Sequence, residues 1–270
     1  MNQNERLQFL VNGFCEDSVQ YKDMKVETSE QRTVLRSLMN IRMPKPLPKP
    51  LLEIQDEFLQ VEAKEKGIVS LNEIPTIKEQ YGSIKKYADK ISIWQGDITR
   101  LQVDAIVNAA NSQMLGCFVP CHKCIDNAIH SAAGVQLREA CNTYMQERRK
   151  ENKHYEEPTG SAVITKGYNL PCKCVIHTVG PIVGVRLTDN LRQDLKNCYQ
   201  SCLDIAVKNN VRSIAFCCIS TGEFHFPNDE AAKIALETVE EFLRVHNKKI
   251  DRVVFNVFKE IDLDLYACLL

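Results

Sequence analysis

Asp104-Ala105-Ile106-Val107-Asn108-Ala109-Ala110-Asn111, followed shortly by Gly116-Cys117-Phe118-Val119-Pro120-Cys121-His122-Lys123-Cys124-Ile125-Asp126-Asn127, is the stretch on which the fold turns. Ala105-Ile106-Val107 is a short apolar, β-branched run that reads as a buried strand, and the residues from about 126 to 147 read as a helix. Between them lie three thiols and an imidazole within eight residues, directly ahead of a carboxylate. The stretch therefore reads as strand, ligand-rich loop and helix.

Working outward, the same alternation continues. Ile91-Ser92-Ile93-Trp94, Ala162-Val163-Ile164-Thr165, Cys174-Val175-Ile176-His177, Ser213 to Ile219 and Arg252 to Val257 read as strands, and 189–209, 229–245 and 260–269 as helices. Such succession predicts an α/β fold, a three-layer α/β/α sandwich around a central mixed, largely parallel sheet. Ligands in these folds sit at the carboxyl ends of the strands.

Residues 1–88 carry a different pattern and read as an N-terminal helical extension, with the α/β domain occupying 89–270. Thr28-Ser29-Glu30-Gln31 has the form of a capping box ahead of the apolar stripe Val34, Leu35, Leu38 and Met39. Pro44, Pro46, Pro48 and Pro50 alternate with other residues and predict an extended connector. Leu51, Ile54, Phe58 and Val61 then mark a second amphipathic helix, stopped at Gly67.

The chain has 270 residues, 44% of them hydrophobic and 26% charged, enough for a core without staples. A net charge of −1 argues against a nucleic-acid-tracking surface. Twelve cysteines accompany no signal-peptide pattern and no apolar run of membrane-spanning length, so the expected compartment is the reducing cytoplasm, with no membrane partner. Most of these thiols, Cys217 and Cys218 among them, sit in apolar runs and read as small buried hydrophobes.

Several positions carry chemistry. Asp97 follows a strand and the bend at Gly96, where a carboxylate can accept from an exocyclic amine. Asn108 and Asn111 bracket two alanines, and their amides suit sugar hydroxyls. Ser220-Thr221-Gly222-Glu223-Phe224 leaves a strand ahead of a helix; its backbone N–H groups can cradle a diphosphate, and the missing Walker lysine argues against magnesium-dependent triphosphate hydrolysis. Cys117, His122 and Cys124 form a Cys₂His set that leaves zinc an open position, with Cys121 turned away. A closed site with Cys121 as fourth ligand is the alternative. Asp126, beside such a cation at a helix start, can orient water or accept its proton. His130, His177 and His225 read as core or rim residues.

Gly96-Asp97-Ile98-Thr99, Asp104 to Asn111, Ile125-Asp126-Asn127-Ala128-Ile129-His130-Ser131-Ala132-Ala133-Gly134 and Ile219-Ser220-Thr221-Gly222 resemble, in order, the signature segments of macrodomains. The resemblance spans about residues 90–270 and implies an ADP-ribose pocket. Asp97 and Ile98 would lie at the adenine end with Phe258 against the base, Ser220, Thr221, Gly222, Glu223 and Phe224 along the diphosphate, and Asn111 at the distal ribose. Cys124, Ile125 and Asp126 would border the ligand, and Asp126 and Asn111 would be catalytic.

Where many macrodomain hydrolases carry glycines, this chain carries Cys117 to Cys124, which is similar to the zinc-dependent macrodomains of bacteria and fungi. That likeness implies Zn2+ on Cys117, His122 and Cys124 and removal of mono-ADP-ribose from proteins. Some bacterial members accompany a sirtuin-type ADP-ribosyltransferase and a lipoylated, glycine-cleavage H-like carrier. An ADP-ribose reader with structural zinc and an O-acetyl-ADP-ribose deacetylase are the rival expectations. His225 stands where a glycine is common in the phosphate loop.

Overall fold

A computed structural model describes residues 1–270. In chain order the elements are α1 (Gln3–Glu16), α2 (Gln31–Ile41), α3 (Lys49–Lys66), β1 (Val69–Ser70), α4 (Ile77–Tyr81), β2 (Ile91–Gln95), β3 (Leu101–Gln102), β4 (Ala105–Ala110), α5 (Ile125–Ala133), α6 (Val135–Glu151), β5 (Ala162–Lys166), β6 (Cys174–Val179), α7 (Asp189–Lys208), β7 (Ser213–Phe216), α8 (Asn228–His246), β8 (Arg252–Val257) and α9 (Glu260–Cys268). The fold is α/β, with a central mixed, mostly parallel sheet flanked by helices and preceded by N-terminal helices. No helix is long and apolar enough to cross a membrane.

The chain forms two compact units. One comprises Met1–Gly67, Met114–Tyr155 and Tyr168–Leu170; the other comprises Ile68–Gln113, Glu156–Gly167 and Pro171–Leu270.

The first unit is helical. Leu7, Leu10, Val11 and Phe14 recur at one face of α1 and pack with Leu35, Leu38 and Met39 of α2, Leu51 and Phe58 of α3, and Val135 of α6. Helix α1 is absent from the sequence reading although its start carries a full capping box: Asn2 accepts from the Glu5 N–H, and Glu5 accepts from the Asn2 N–H. The box expected at Thr28–Gln31 does not form; α2 begins at Gln31 after Glu30, with no side-chain cap. The proline run stays non-helical only to Pro48, because Pro50 falls in the first turn of α3, where an amide hydrogen has no intrahelical acceptor to lose. Gly67 ends α3 with φ +83, as a C-terminal glycine should. The single helix expected over 126–147 is two, broken at Gly134. Its φ of +93 closes α5 and opens α6, and a Cβ there would meet Gln136 Oε1 at 2.6 Å and Gln55 Nε2 at 2.7 Å.

The second unit holds the six-stranded sheet, ordered β2-β8-β7-β4-β6-β5. Every pairing is parallel except β5 with β6. The apolar faces of α7 and α8 bury Leu195, Cys198, Tyr199, Leu236, Val239 and Phe242. The strand expected from Ser213 to Ile219 ends at Phe216, so Cys217 to Ile219 already belong to the loop. Strand β4 sits between β7 and β6, and the chain leaves it toward β6 and later crosses to β7. Adjacent strands whose connections run in opposite directions open a crevice at their carboxyl ends.

Candidate metal centre and ligand loops

In the helical unit the chain between Met114 and α5 doubles back on itself. Met114, Gly116 and Cys121 all take left-handed backbone, with φ of +62, +78 and +52. A turn bond from the His122 N–H to the Val119 carbonyl (3.2 Å) returns the chain toward Cys117. The result brings one ligand atom each of Cys117, His122 and Cys124 within 4.8 Å of one another. Cys117 Sγ and His122 Nδ1 are 3.6 Å apart. Cys121 Sγ points elsewhere, to Ser37 Oγ at 3.3 Å and the Thr33 carbonyl at 3.6 Å. Two sulfurs and one nitrogen this close are a donor set that suits a soft-tolerant divalent cation such as zinc.

Cys124 also caps α5, its Sγ accepting from the Asn127 N–H at 3.4 Å. Burial pushes its thiol up to about 12, and the nearby Cys117 and Asp126 add to the effect. Asp126 is buried in the first turn of α5, with Oδ1 3.4 Å from His130 Nε2 one turn on. His130 thus has a partner that its isolation in sequence did not suggest. Ile125 lies beside Asp126 at the same helix start, half-buried.

One residue of this centre escaped sequence reading. The Arg138 guanidinium on α6 donates to the carbonyls of Leu115 (2.7 Å) and Cys117 (3.3 Å) and to those of Met39, Asn40 and Arg42. It also stacks over Phe118, 4.2 Å from the ring centroid. A lone arginine on an amphipathic helix gives no sign of this, because its five acceptors are main-chain atoms far off in sequence.

In the sheet unit, the remaining candidate residues follow the carboxyl ends of four neighbouring parallel strands. Asp97 and Ile98 follow β2, Phe258 follows β8, Ser220 to Phe224 follow β7, and Asn111 follows β4. Asp97 caps a short turn through Oδ1, which accepts from Thr99 N (3.0 Å) and Thr99 Oγ1 (2.7 Å). Asn111 Oδ1 accepts from the Gln113 N–H at 3.0 Å, which orients the amide. Phe258 is 76% exposed.

The loop after β7 is held by bonds from Phe226 N to Ser220 O (3.0 Å), His225 N to Gly222 O (3.1 Å) and Thr221 Oγ1 to Cys218 O (3.1 Å). The loop after β6 supports it, Val183 donating to the Phe224 carbonyl at 2.9 Å. Ser220 and His225 both adopt left-handed backbone, at φ +64 and +54. At His225 that conformation is one a glycine would adopt without strain. Ser220 Oγ is buried without a protein hydrogen-bond partner, and Gly180 makes room for it, since a Cβ there would fall 2.0 Å from that oxygen. Nothing in the local sequence marks Gly180, since the atom that requires it belongs to a loop 40 positions on.

Asn108 corrects the reading of paired sugar-binding asparagines. It is fully buried within β4, and its Nδ2 donates to Nδ1 of His177 on β6 at 3.1 Å. Strand pleating turns Asn108 into the core, while Asn111 lies beyond the strand end.

A mixed, mostly parallel sheet flanked by helices is the fold of an α/β protein of the macrodomain class. Residues 107–235 match the Macro domain family. A Treponema medium protein named protein-ADP-ribose hydrolase is 48% identical over 98% of this chain and 98% of its own length. A Staphylococcus aureus protein of the same name is 42% identical over 97% of this chain and 93% of its own. Among solved structures, a Trypanosoma brucei macrodomain in complex with ADP-ribose is 29% identical with a TM-score of 0.65, covering 91% of this chain and 96% of that one. The chain belongs to the macrodomain family.

Proposed function

We propose that this protein is a zinc-dependent hydrolase that removes mono-ADP-ribose from modified proteins and releases ADP-ribose. The observation that carries the substrate is the order of groups along the sheet edge: Asp97, Phe258, Ser220 to Phe224, Asn111. Read left to right, that is a carboxylate and an aromatic ring for adenine, main-chain amides for a diphosphate and an amide for a terminal ribose. Four strands at a spacing of about 4.8 Å cover roughly 14 Å, a span suited to a dinucleotide-like ligand. The buried Ser220 hydroxyl supports the same reading, because an unmatched buried polar group costs about 1–3 kcal/mol that a ligand oxygen can offset. The names of the relatives, similar over nearly the whole chain, agree with it.

For the chemistry, Cys117, His122 and Cys124 would hold the ion. When bound, zinc supplies a Lewis acid with a coordination place to spare. The protein's own residues do the rest. Asp97 and the amides of the Ser220–Phe224 loop grip the adenosine and diphosphate, so that binding energy remote from the reaction orients the terminal sugar. Asn111 holds the ribose hydroxyls. Asp126 would position a water and take a proton from it as the water oxygen bonds to C1″, and would return that proton to the acceptor side chain as the bond from C1″ to the acceptor breaks.

Cys121 disfavours a closed structural site, since its sulfur is engaged with α2. The acceptor is further proposed to be a lipoylated, glycine-cleavage H-like carrier modified by a sirtuin-type transferase, a reading that rests on the resemblance to bacterial members. A cytoplasmic setting is consistent with twelve free cysteines.

The test is hydrolysis of a mono-ADP-ribosylated protein by wild type, Cys124→Ala and His122→Ala. Turnover is expected to fall at least a hundredfold in both variants. Undiminished turnover defeats the metal mechanism, and faster turnover of O-acetyl-ADP-ribose than of modified protein would favour the deacetylase.

A further inference from the structure

Helix α2 carries two distinct faces. Val34, Leu35, Leu38 and Met39 belong to the hydrophobic cluster of the helical unit. Thr33, Arg36, Ser37 and Asn40, at helical spacing on the other side, all reach the ligand loop or the helix that follows it. The Thr33 carbonyl and Ser37 Oγ contact Cys121 Sγ. Asn40 Oδ1 accepts from the Cys121 N–H at 2.9 Å, and Asn40 Nδ2 donates to Ser131 Oγ at 2.9 Å. Arg36 donates to Asn127 Oδ1 at 2.8 Å, and Asn127 in turn donates to the Val119 carbonyl at 3.0 Å. Arg138 ties the carbonyls at the end of α2 to those of Leu115 and Cys117.

We propose that α2 is the positioning element of the metal centre, with Asn40 and Cys121 as its principal positioning residues. The inference rests on the metal reading above. A short loop bearing three ligands has many conformations in which they diverge, and only a loop fixed beforehand offers them together. Cys121 shows how the fixing is done. Its left-handed φ of +52 is unfavourable for a residue with a Cβ and persists where surroundings over-determine it. Here Asn40 holds its amide and Ser37 and Thr33 hold its sulfur. Cys121 is thus the pinned corner of the turn that swings His122 and Cys124 back to Cys117. Helix α2 holds the proposed ligand loop in place.

The experiment compares wild type with Asn40→Ala, Asn40→Asp and Arg32→Ala. Asp at 40 keeps the acceptor for the Cys121 amide. Arg32 lies away from the loop and pairs with Glu62, so its loss perturbs the same helix without touching the turn. Zinc affinity is read by competition with a chromophoric chelator, ligand geometry by the thiolate charge-transfer bands of the Co2+-loaded protein, and loop order by hydrogen exchange of the amides of 116–124 in metal-free protein. Asn40→Ala is expected to weaken zinc at least tenfold, alter the Co2+ spectrum and speed exchange of the Cys121 amide; Asn40→Asp should recover most of the affinity, and Arg32→Ala should match wild type. Should Asn40→Ala not fold, Arg36→Ala carries the same expectations. Wild-type affinity, spectrum and exchange in a folded Asn40→Ala or Arg36→Ala overturns the proposal, as does an equal loss in Arg32→Ala. If wild type itself takes up no stoichiometric zinc, the metal reading fails, and exchange alone decides whether α2 holds the loop.

Discussion

Asn108 Nδ2 meets His177 Nδ1 at 3.1 Å inside the sheet, and on the other side of the ring His177 Nε2 lies 2.9 Å from Thr165 Oγ1. An amide can only donate through Nδ2, so Nδ1 accepts and the ring carries its proton on Nε2, facing the threonine oxygen. Both ring nitrogens are satisfied in the neutral form. Burial pushes the His177 pKa down to about 4 from an ordinary 6.5.

The pH dependence follows from that difference. Between pH 6.5 and 4 the unfolded chain binds a proton that the folded chain refuses, so stability falls as pH drops through this window and is flat above it as far as this group is concerned. The loss is about 2 kcal/mol by pH 5. Urea unfolding at pH 7 and pH 5 checks it: wild type should lose more stability than His177→Gln, and equal losses would show that His177 does not titrate differently on folding.

Gly222 separates binding from folding. A Cβ there meets nothing within 4 Å in the protein, so Gly222→Ala should leave the melting temperature unchanged or slightly raised. The added methyl stands where the backbone is proposed to approach a diphosphate, and ADP-ribose affinity is expected to fall about tenfold or more. Calorimetry showing wild-type binding would remove this loop from the ligand site.

Phe258 makes the matching test one strand over. At 76% exposure it contributes little to the core, whereas stacking of a base on an aromatic side chain is worth about 1–3 kcal/mol. Phe258→Ala is expected to weaken ADP-ribose binding by that amount at unchanged stability. A loss of stability with intact affinity contradicts the assignment.

His225 sits at φ +54, a conformation a β-branched residue tolerates poorly. His225→Val should destabilise the protein by about 1–2 kcal/mol, while His225→Gly should be neutral or mildly stabilising. Thermal melts of the two variants in opposite order would mean that the side chain, not the backbone, governs this position.

Cys121 and Cys124 differ by three places in sequence and by role in the fold. Metal analysis of purified Cys121→Ser is expected to give the wild-type zinc content, and that of Cys124→Ser a marked loss. Loss of the ion in Cys121→Ser with Cys124→Ser still loaded would call for a different ligand set.

Much of this was legible locally. The apolar runs at Ile91, Ala105, Ala162, Cys174 and Arg252 became strands at or near their expected limits, since side-chain period and turn residues act over a few positions. Gly134 broke an otherwise continuous helical pattern because its backbone enters a region closed to other residues, which helical spacing cannot reveal. Asn108 misled because a polar residue at a strand end looks the same whether it faces a ligand or a buried histidine. Arg138 and Asn40 stayed hidden because their partners, main-chain carbonyls for the one and the Cys121 amide and Ser131 hydroxyl for the other, come from distant segments.

By itself the sequence determined the element types, the alternation that makes a parallel sheet and the donor atoms available between Gly116 and Asn127. Tertiary structure alone decided the strand order that sets Asp97, Phe258, the Ser220 loop and Asn111 in line, the pairing of Asn108 with His177 across 69 positions, and the direction in which each cysteine points. The reason is one of range. Helix and strand preference arise from neighbours along the chain, while register, crossover and the pinning of a strained turn arise from contacts between segments that the linear order leaves far apart.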